Sequence, residues 1–473
     1  MANADFLGSR KVGITTVLFP YGCNDSSCGY CDLIRCVPED KSYMMMASVD
    51  RPGETFLGIT PNDYKILLDR GWRRSGNIIY KPDMRGSCCQ EYTIRLKSSL
   101  FKPNSKQRKA TNAWSNFIHG IGYKREQAQK YPISREEKKR KRTSRFNVVE
   151  KIHESEYATL KAQNPLEPAH KFEIVLEENK FTEEKYKLFE HYQKKIHNDE
   201  ASEGGFKRFL CANPFKPPYS VDKKGRKIGA YHQCYYLDGR LIAMAVLDLL
   251  PDCVSGVYFM YHTDFSQWSF GKLSAVREIA LAEEAGYEYY YMGTLNFLFS
   301  TLSPNSELTL NLGYYIHSCP KMRYKCEYQP AEVLDPECYD WHSFDNEFRK
   351  ILDVKPYYSP SLERILTAEG SERSMTLLKN YHINTKKGVI TNLDDDTVFS
   401  TDMSGVVKLE DIEPVIDDIR ILVGRKLAIA EMISGWEEMP IDVPGNAKHK
   451  IAEAIATLGL ELTPKVIICL TLG

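Results

Sequence analysis

YHQCYYLDGRLIAMAVLDL, residues 231–249, followed after Pro251-Asp252 by CVSGVYFMY at residues 253–261, is the stretch that decides the fold. Runs rich in aromatic and branched aliphatic residues, bounded by turn residues, read as strands. Asp238-Gly239 between two such runs is a strong hairpin signal, because a tight two-residue turn needs positive φ at both central positions. The reading is therefore a hairpin of Tyr231–Leu237 and Arg240–Leu249, with a third strand at Cys253–Tyr261. Phe270–Ala285 then reads as a helix closed by Gly286, and Tyr287–Met292 as a fourth strand returning in a β-α-β arrangement.

Three antiparallel strands feeding a helix and a parallel strand match the core of the GNAT N-acyltransferase fold, in which neighbouring strands splay and open a cleft. The expected class is α+β: a GNAT-like domain with an N-terminal cysteine-rich domain. Upstream of the hairpin, Thr182 caps a helix whose Tyr186, Phe189, Tyr192 and Ile196 share a face, with Phe181 stapled onto Tyr186. Near the start, Thr60-Pro61-Asn62-Asp63 opens a helix that Gly71 ends, and strands follow around Ile78–Tyr80 and Tyr92–Leu96. Four regions result: 1–100, cysteine-rich; 101–170, a basic linker or insertion; 171–353, catalytic; and 354–473, acidic in part and of no assigned role.

Length and composition bound the function. The 473 residues suffice for two or three domains, and 42% apolar with 27% charged residues is a globular composition. Met1–Gly13 has no apolar signal run, no stretch reaches the roughly 18 apolar residues of a membrane span, and Ala2 excludes N-myristoylation. The expected setting is the cytoplasm and the nucleus, with no membrane partner. Sixty-three basic and 63 acidic residues cancel, but Lys102–Arg145 holds fourteen Lys or Arg against three Glu. Such a segment suits RNA phosphates, with Lys138, Lys139, Arg140, Lys141 and Arg142 at its centre; a solvated or nuclear-import run is the plain alternative.

Thirteen cysteines without an export signal point to thiols or metal ligands rather than disulfides. Cys28-x-x-Cys31 with Cys88-Cys89 has the arithmetic of a four-sulfur shell for zinc or an iron-sulfur cluster, Cys23 and Cys36 being substitutes. Buried reduced thiols or a redox pair fit the same spacing.

Several blocks resemble the arginyl-tRNA-protein transferase family. In the N-terminal part these are Cys28-Gly29-Tyr30-Cys31, Gly71-Trp72-Arg73-Arg74-Ser75-Gly76, Tyr80-Lys81-Pro82 and Cys88-Cys89 with Tyr92–Leu96. Further on they are His232-Gln233, Asp238–Ala243, Val257-Tyr258-Phe259, Leu273–Ile279 and Tyr314–Lys325. The resemblance implies transfer of arginine from arginyl-tRNA to the N-terminal α-amine of proteins starting with Asp, Glu or oxidised Cys. That product would be an N-degron for ubiquitin-dependent degradation, with ubiquitin-ligase machinery as a further partner. It also implies a regulatory zinc or iron-sulfur cluster at Cys28, Cys31, Cys88 and Cys89. No nucleotide cofactor is expected, because the aminoacyl ester is already activated.

An attacking α-amine with a pKa near 8 is helped by a base, for which His232, Asp264 and Glu278 are the candidates. Reading an acidic side chain calls for cations, here Arg277, Lys321 and Arg323 with Tyr324 beside them. Trp72, Arg73 and Arg74 are candidates for holding the tRNA acceptor end. Thr294–Gly313 interrupts a block that the family usually runs together, and is expected to be a translated intron or a lineage-specific loop. Cys326 and Tyr261-His262-Thr263-Asp264 also depart from the commoner pattern. Two other functions fit the same residues: a leucyl/phenylalanyl-tRNA-type transferase, and a non-catalytic metal-dependent RNA-binding or redox-sensing protein.

Overall fold

The computed structural model describes residues 16–26, 28, 30, 40–47, 58–143, 146–163, 165–293, 313–368, 397–424 and 426–470. They form a mixed α+β structure on two sheets. The larger sheet contains the hairpin stretch. Its strands are β5 (Ile94–Lys97), β6 (Phe172–Glu178), β7 (Tyr219–Val221), β8 (Lys227–Leu237), β9 (Arg240–Leu250), β10 (Cys253–Tyr261), β11 (Tyr289–Tyr291), β12 (Ala331–Leu334) and β13 (Trp341–Ser343). They lie in the order β13-β12-β5-β11-β10-β9-β8-β6, with β7 beside β8.

Asp238 and Gly239 take φ of 51° and 82°, so the β8–β9 hairpin turns as the Asp-Gly pair predicts. β9 and β10 pair antiparallel from Leu250 with Cys253 to Ala243 with Tyr261. Both strands are buried along nearly their whole length, which explains runs of apolar residues without polar alternation. One face carries the Phe270–Ala285 helix, closed by Gly286 at φ 74°. The other carries the Glu183–Tyr192 helix, with Thr182 capping the Lys185 N–H and Phe181 against Tyr186 at 6.3 Å between ring centroids.

The basic segment is not a free linker over its first half. Asn104 and Gln107 form a reciprocal capping box at the start of the Ser105–Lys130 helix. Trp114 and Ile118 are buried four residues apart, and the Trp114 ring meets Phe172, Trp268 and Phe270 at 5.1, 5.7 and 4.9 Å. Burying an aromatic or aliphatic side chain contributes roughly 1.5–3 kcal/mol, enough to hold a helix whose mean composition is polar. The charged residues on its outer face masked this apolar stripe.

The second sheet joins the two ends of the chain. Its strands are β1 (Thr16–Ser26), β2 (Asp40–Met46), β3 (Arg73–Ser75), β4 (Ile78–Pro82), β14 (Arg420–Val423), β15 (Lys426–Ile429) and β16 (Val466–Leu470), in the order β15-β14-β16-β1-β2-β4-β3. β1 pairs in parallel with β16, Thr16 beside Val466. The Ala447–Leu458 helix packs under this sheet, and the Trp72 indole N–H donates to the Thr457 carbonyl. Conversely β5, from the cysteine-rich region, sits between β11 and β12 of the larger sheet. Arg74 crosses between the sheets to a buried two-point pair with Asp248 on β9, Nε to Oδ2 at 2.7 Å. The structural layers therefore interleave sequence segments that are far apart in the chain.

Candidate functional site

Pairing between β10 and β11 is parallel and brief, from Cys253 with Tyr289 to Ser255 with Tyr291. The strands part at a glycine on each side. A Cβ on Gly256 would stand 2.8 Å from the Gly293 nitrogen, and one on Gly293 would stand 2.7 Å from the Gly256 carbonyl carbon. Two backbones this close admit only glycine. Beyond that contact β10 continues to Tyr261 paired with β9, and no strand lies on its other side among the described residues. This glycine contact is the apex at which β10 and β11 cease to pair.

Glu278, on the helix that follows β10, lies under the apex, its Oε2 about 3.1 Å from where a Gly256 Cβ would be. It accepts hydrogen bonds from the hydroxyls of Ser274 and, at 2.6 Å, Tyr290. Burial pushes its carboxyl up to about 7, against the pull of those two hydroxyls. A buried carboxyl that titrates near neutrality is suited to exchange protons. On the other side of the apex, the Tyr324 hydroxyl donates to the Gly293 carbonyl at 3.4 Å. The buried Lys325 ammonium donates to the carbonyls of Tyr314, at 2.6 Å, and Met292, at 3.5 Å. Burial and then the Arg73 charge hold Lys325 well below the usual lysine range.

The other sequence-predicted residues fall elsewhere. His232 is fully buried on β8, two strands from β10, and shares side-chain parity with Cys234, which packs in the cluster under the Glu183–Tyr192 helix. Its Nε2 is bonded to the Leu210 carbonyl at 3.0 Å, and burial followed by the Lys185 charge pushes it down to about 3. That is the setting of a neutral structural histidine, because an imidazole so desolvated does not take a proton at neutral pH. Asp264 is exposed in a turn after β10 and pairs with Arg240 at 3.3 Å. Arg277 points away from Glu278, between Glu156 at 3.2 Å and Glu284 at 3.6 Å, so its charge is already matched. Lys321 and Arg323 are exposed on the segment that carries Tyr324, with the Arg323 Nε on the His317 carbonyl at 2.6 Å.

Trp72 and Arg74 are enclosed by the framework contacts already given, which leaves no face for stacking on RNA. Arg73 is buried too, its guanidinium 4.7 Å over the Tyr314 ring and its Nη1 on the Trp72 carbonyl at 2.8 Å. Lys139 and Arg140 are exposed on the Arg135–Thr143 helix; the side chains of Lys138, Lys141 and Arg142 lie outside the described residues.

The sulfur atoms of Cys28, Cys88 and Cys89 all lie within 4.8 Å of one another. Cys31 and Cys36 lie outside the described residues, and Cys23 is exposed on β1. Three soft donors gathered at one point, two of them buried, fit zinc or an iron-sulfur cluster, and the geometry favours neither. Ile316, Cys319 and Met322 pack against these cysteines, and the Ser318 hydroxyl reaches the Cys89 sulfur at 3.4 Å. The sulfur cluster thus abuts the segment that leads to Tyr324 and Lys325.

Sequence reasoning passed over Lys325, Tyr290 and Glu91. Lys325 closes the Tyr314–Lys325 block and could have been found as a lone lysine among aromatics; Tyr290 and Glu91 carry no such signal. Glu91 is fully buried, and neither carboxyl oxygen has a hydrogen-bond partner.

Two family models match the chain: "Arginine-tRNA-protein transferase, N terminus" over residues 26–109, and "Arginine-tRNA-protein transferase, C terminus" over residues 184–296 and 302–335. The break in the second falls inside Thr294–Gly313, of which residues 294–312 lie outside the described residues. Arginyl-tRNA--protein transferase 1 of Saccharomyces cerevisiae is 32% identical over 343 residues, covering 69% of this chain and 57% of that protein. Arginyl-tRNA--protein transferase 2 of Arabidopsis thaliana is 27% identical over 78% of this chain and 82% of that protein. An aspartate/glutamate leucyltransferase of Pseudomonas fluorescens is 25% identical over 66% of this chain and 92% of that protein. Among solved structures, L-PGS from Bacillus licheniformis aligns with a TM-score of 0.23 at 12% identity over 53% of this chain and 57% of that chain. Both halves of one family's description are matched, in chain order. The chain belongs to the arginine-tRNA-protein transferase family.

Proposed function

We propose that this chain transfers arginine from arginyl-tRNA to the N-terminal α-amine of proteins that begin with an acidic residue. The observation that carries the reading is the match of both family models, joined to a near-neutral buried carboxyl where β10 and β11 cease to pair. In this reading the larger sheet is GNAT-like and the opening between β10 and β11 receives both substrates. The amine nitrogen attacks the ester carbonyl carbon, the new C–N bond forms, and the C–O bond to the tRNA ribose breaks. Glu278 accepts the proton lost by the amine, and the departing ribose oxygen takes one up. Because both reactants are bound side by side, positioning supplies most of the rate.

Lys139 and Arg140 contribute to phosphate contacts with the tRNA. Cys28, Cys88 and Cys89, with Cys31, would hold zinc or an iron-sulfur cluster, whose part is to fix the neighbouring Ile316–Lys325 segment. The arginylated N-terminus then marks its protein for ubiquitin-dependent degradation, in the cytoplasm or nucleus. No described helix is long and apolar enough to cross a membrane.

The match to a bacterial aspartate/glutamate leucyltransferase favours one second reading, the same acceptors with a leucyl donor. Incubation with labelled arginyl-tRNA or leucyl-tRNA and peptides starting with Asp, Asn or Leu separates the two. Arginine on the Asp peptide alone is the expected result; label from leucyl-tRNA only would transfer the assignment to the second reading.

A further inference from the structure

A small cleft of about 20 Å³ is lined among others by Arg70, Lys81, Glu91, Thr93, Tyr339 and Ser404. Its walls hold an unusual number of unsatisfied groups. Arg70 Nε, both Glu91 carboxyl oxygens, Thr93 Oγ1 and Ser404 Oγ are buried without a hydrogen-bond partner. Buried polar groups in folded proteins are nearly always satisfied, so five such atoms around one cleft describe a surface shaped to meet something polar.

The charges say what. The Arg70 guanidinium and the Lys81 ammonium flank the Tyr339 ring at 4.3 and 4.9 Å from its centre. Neither is ion-paired to a carboxylate among the described residues, and Lys81 donates to the Arg70 carbonyl at 2.9 Å. Burial and then the Arg70 charge push Lys81 down to about 7, against the pull of the Glu337 and Asp83 carboxylates. A path of hydrogen bonds leads from the cleft wall towards the Gly256–Gly293 contact. The Tyr314 hydroxyl donates to the carbonyl of Gly71 in the cleft wall at 2.6 Å, and its own carbonyl accepts from Lys325, which reaches Met292 next to Gly293.

We propose that this cleft, with Arg70 and Lys81 at one end and Glu91 at the other, is where the acidic side chain of the acceptor's N-terminal residue is read. The inference rests on the proposed transferase activity. The side-chain carboxylate takes Arg70, Lys81 and the Thr93 and Ser404 hydroxyls, while Glu91 offers acceptors to the α-amine a few bonds away. Enclosed cations discriminate Asp from Asn far better than exposed ones such as Arg323, because an amide leaves their charge desolvated and unmatched. Arg277 is excluded from the role by its two glutamate partners.

The test uses the full chain and two measurements: affinity for an Asp-starting peptide by fluorescence anisotropy without tRNA, and KM and kcat for arginine transfer. Lys81→Met and Arg70→Met are each expected to weaken the Asp peptide by about tenfold or more and to erase its advantage over an Asn peptide. Affinity for arginyl-tRNA should stay as in the parent protein. Thr93→Val, nearly isosteric, should weaken the Asp peptide by about threefold or more and serves if a cation variant does not fold. Undiminished preference for Asp over Asn in the folded variants overturns the assignment, even if arginine transfer proceeds. So does binding of free succinate that depends on Lys81 but does not compete with the Asp peptide. If no arginine is transferred but Asp-peptide binding still depends on Arg70 and Lys81, the cleft stands and the activity falls.

Discussion

Replacing Glu278 by Gln should move stability and activity in opposite directions, and the structure sets the size of the first effect. Burial raises this carboxyl from 4.5 to about 7. In the unfolded chain it ionises above 4.5, whereas the folded protein keeps the proton until about 7, so between those values folding binds an extra proton. Stability contributed at low pH is therefore lost as pH rises through this window, by about 3 kcal/mol in total. Glutamine keeps the shape and an acceptor for Ser274 and Tyr290 but has nothing to ionise. Urea unfolding from pH 4 to pH 8 should show the parent falling relative to Glu278→Gln, with the variant the more stable at pH 8. Single-turnover arginine transfer should show the reverse. The parent rate should rise with pH through about 7, and the variant should be slower by about a hundredfold or more, retaining only the limb that belongs to the amine itself. Superposable stability-against-pH curves would refute the buried-carboxyl argument, and an undiminished single-turnover rate would refute the base assignment.

Two further outcomes are expected. Cys28→Ala should lose bound zinc or iron by elemental analysis of the purified chain, and unchanged metal content would remove the cysteine cluster as a metal centre. Asp248→Asn strands the Arg74 guanidinium between the two sheets and should cost about 3–5 kcal/mol in urea unfolding, whereas the double change with Arg74→Met should recover much of it.

Much of the larger sheet was legible because its signals are local. Two strands joined by Asp-Gly, a third after Pro-Asp and a helix stopped by Gly286 each need only neighbours in sequence, and Cys253–Tyr261 and Phe270–Ala285 fall on the expected residues. Composition alone gives the Ser105–Lys130 helix as part of a basic linker or insertion, because the signal that matters, a stripe through Trp114 and Ile118, is diluted by charge on the outer turns. The cysteine cluster was legible for a chemical reason: few residue types bind metal, and three of the four proposed ligands meet in space.

The chemistry of the candidate site was legible only in part, and the reason lies in how the sheets interlock. An arginine-rich motif reads from sequence as a surface for RNA, yet Arg74 in that motif is neutralised by Asp248, 174 positions away on another sheet. His232 reads as a base in sequence, whereas burial and then the Lys185 charge push it down to about 3, a property of packing that no neighbour in sequence records. The polar groups left without a hydrogen-bond partner around the cleft are instead on Arg70, Glu91, Thr93 and Ser404, which arrive from a helix end, the approach to β5 and the C-terminal region. A free charge is a global property: it depends on every possible partner having been used elsewhere. Residue type and spacing nominate candidates for such a site, and the completed fold selects among them by exhausting the rest.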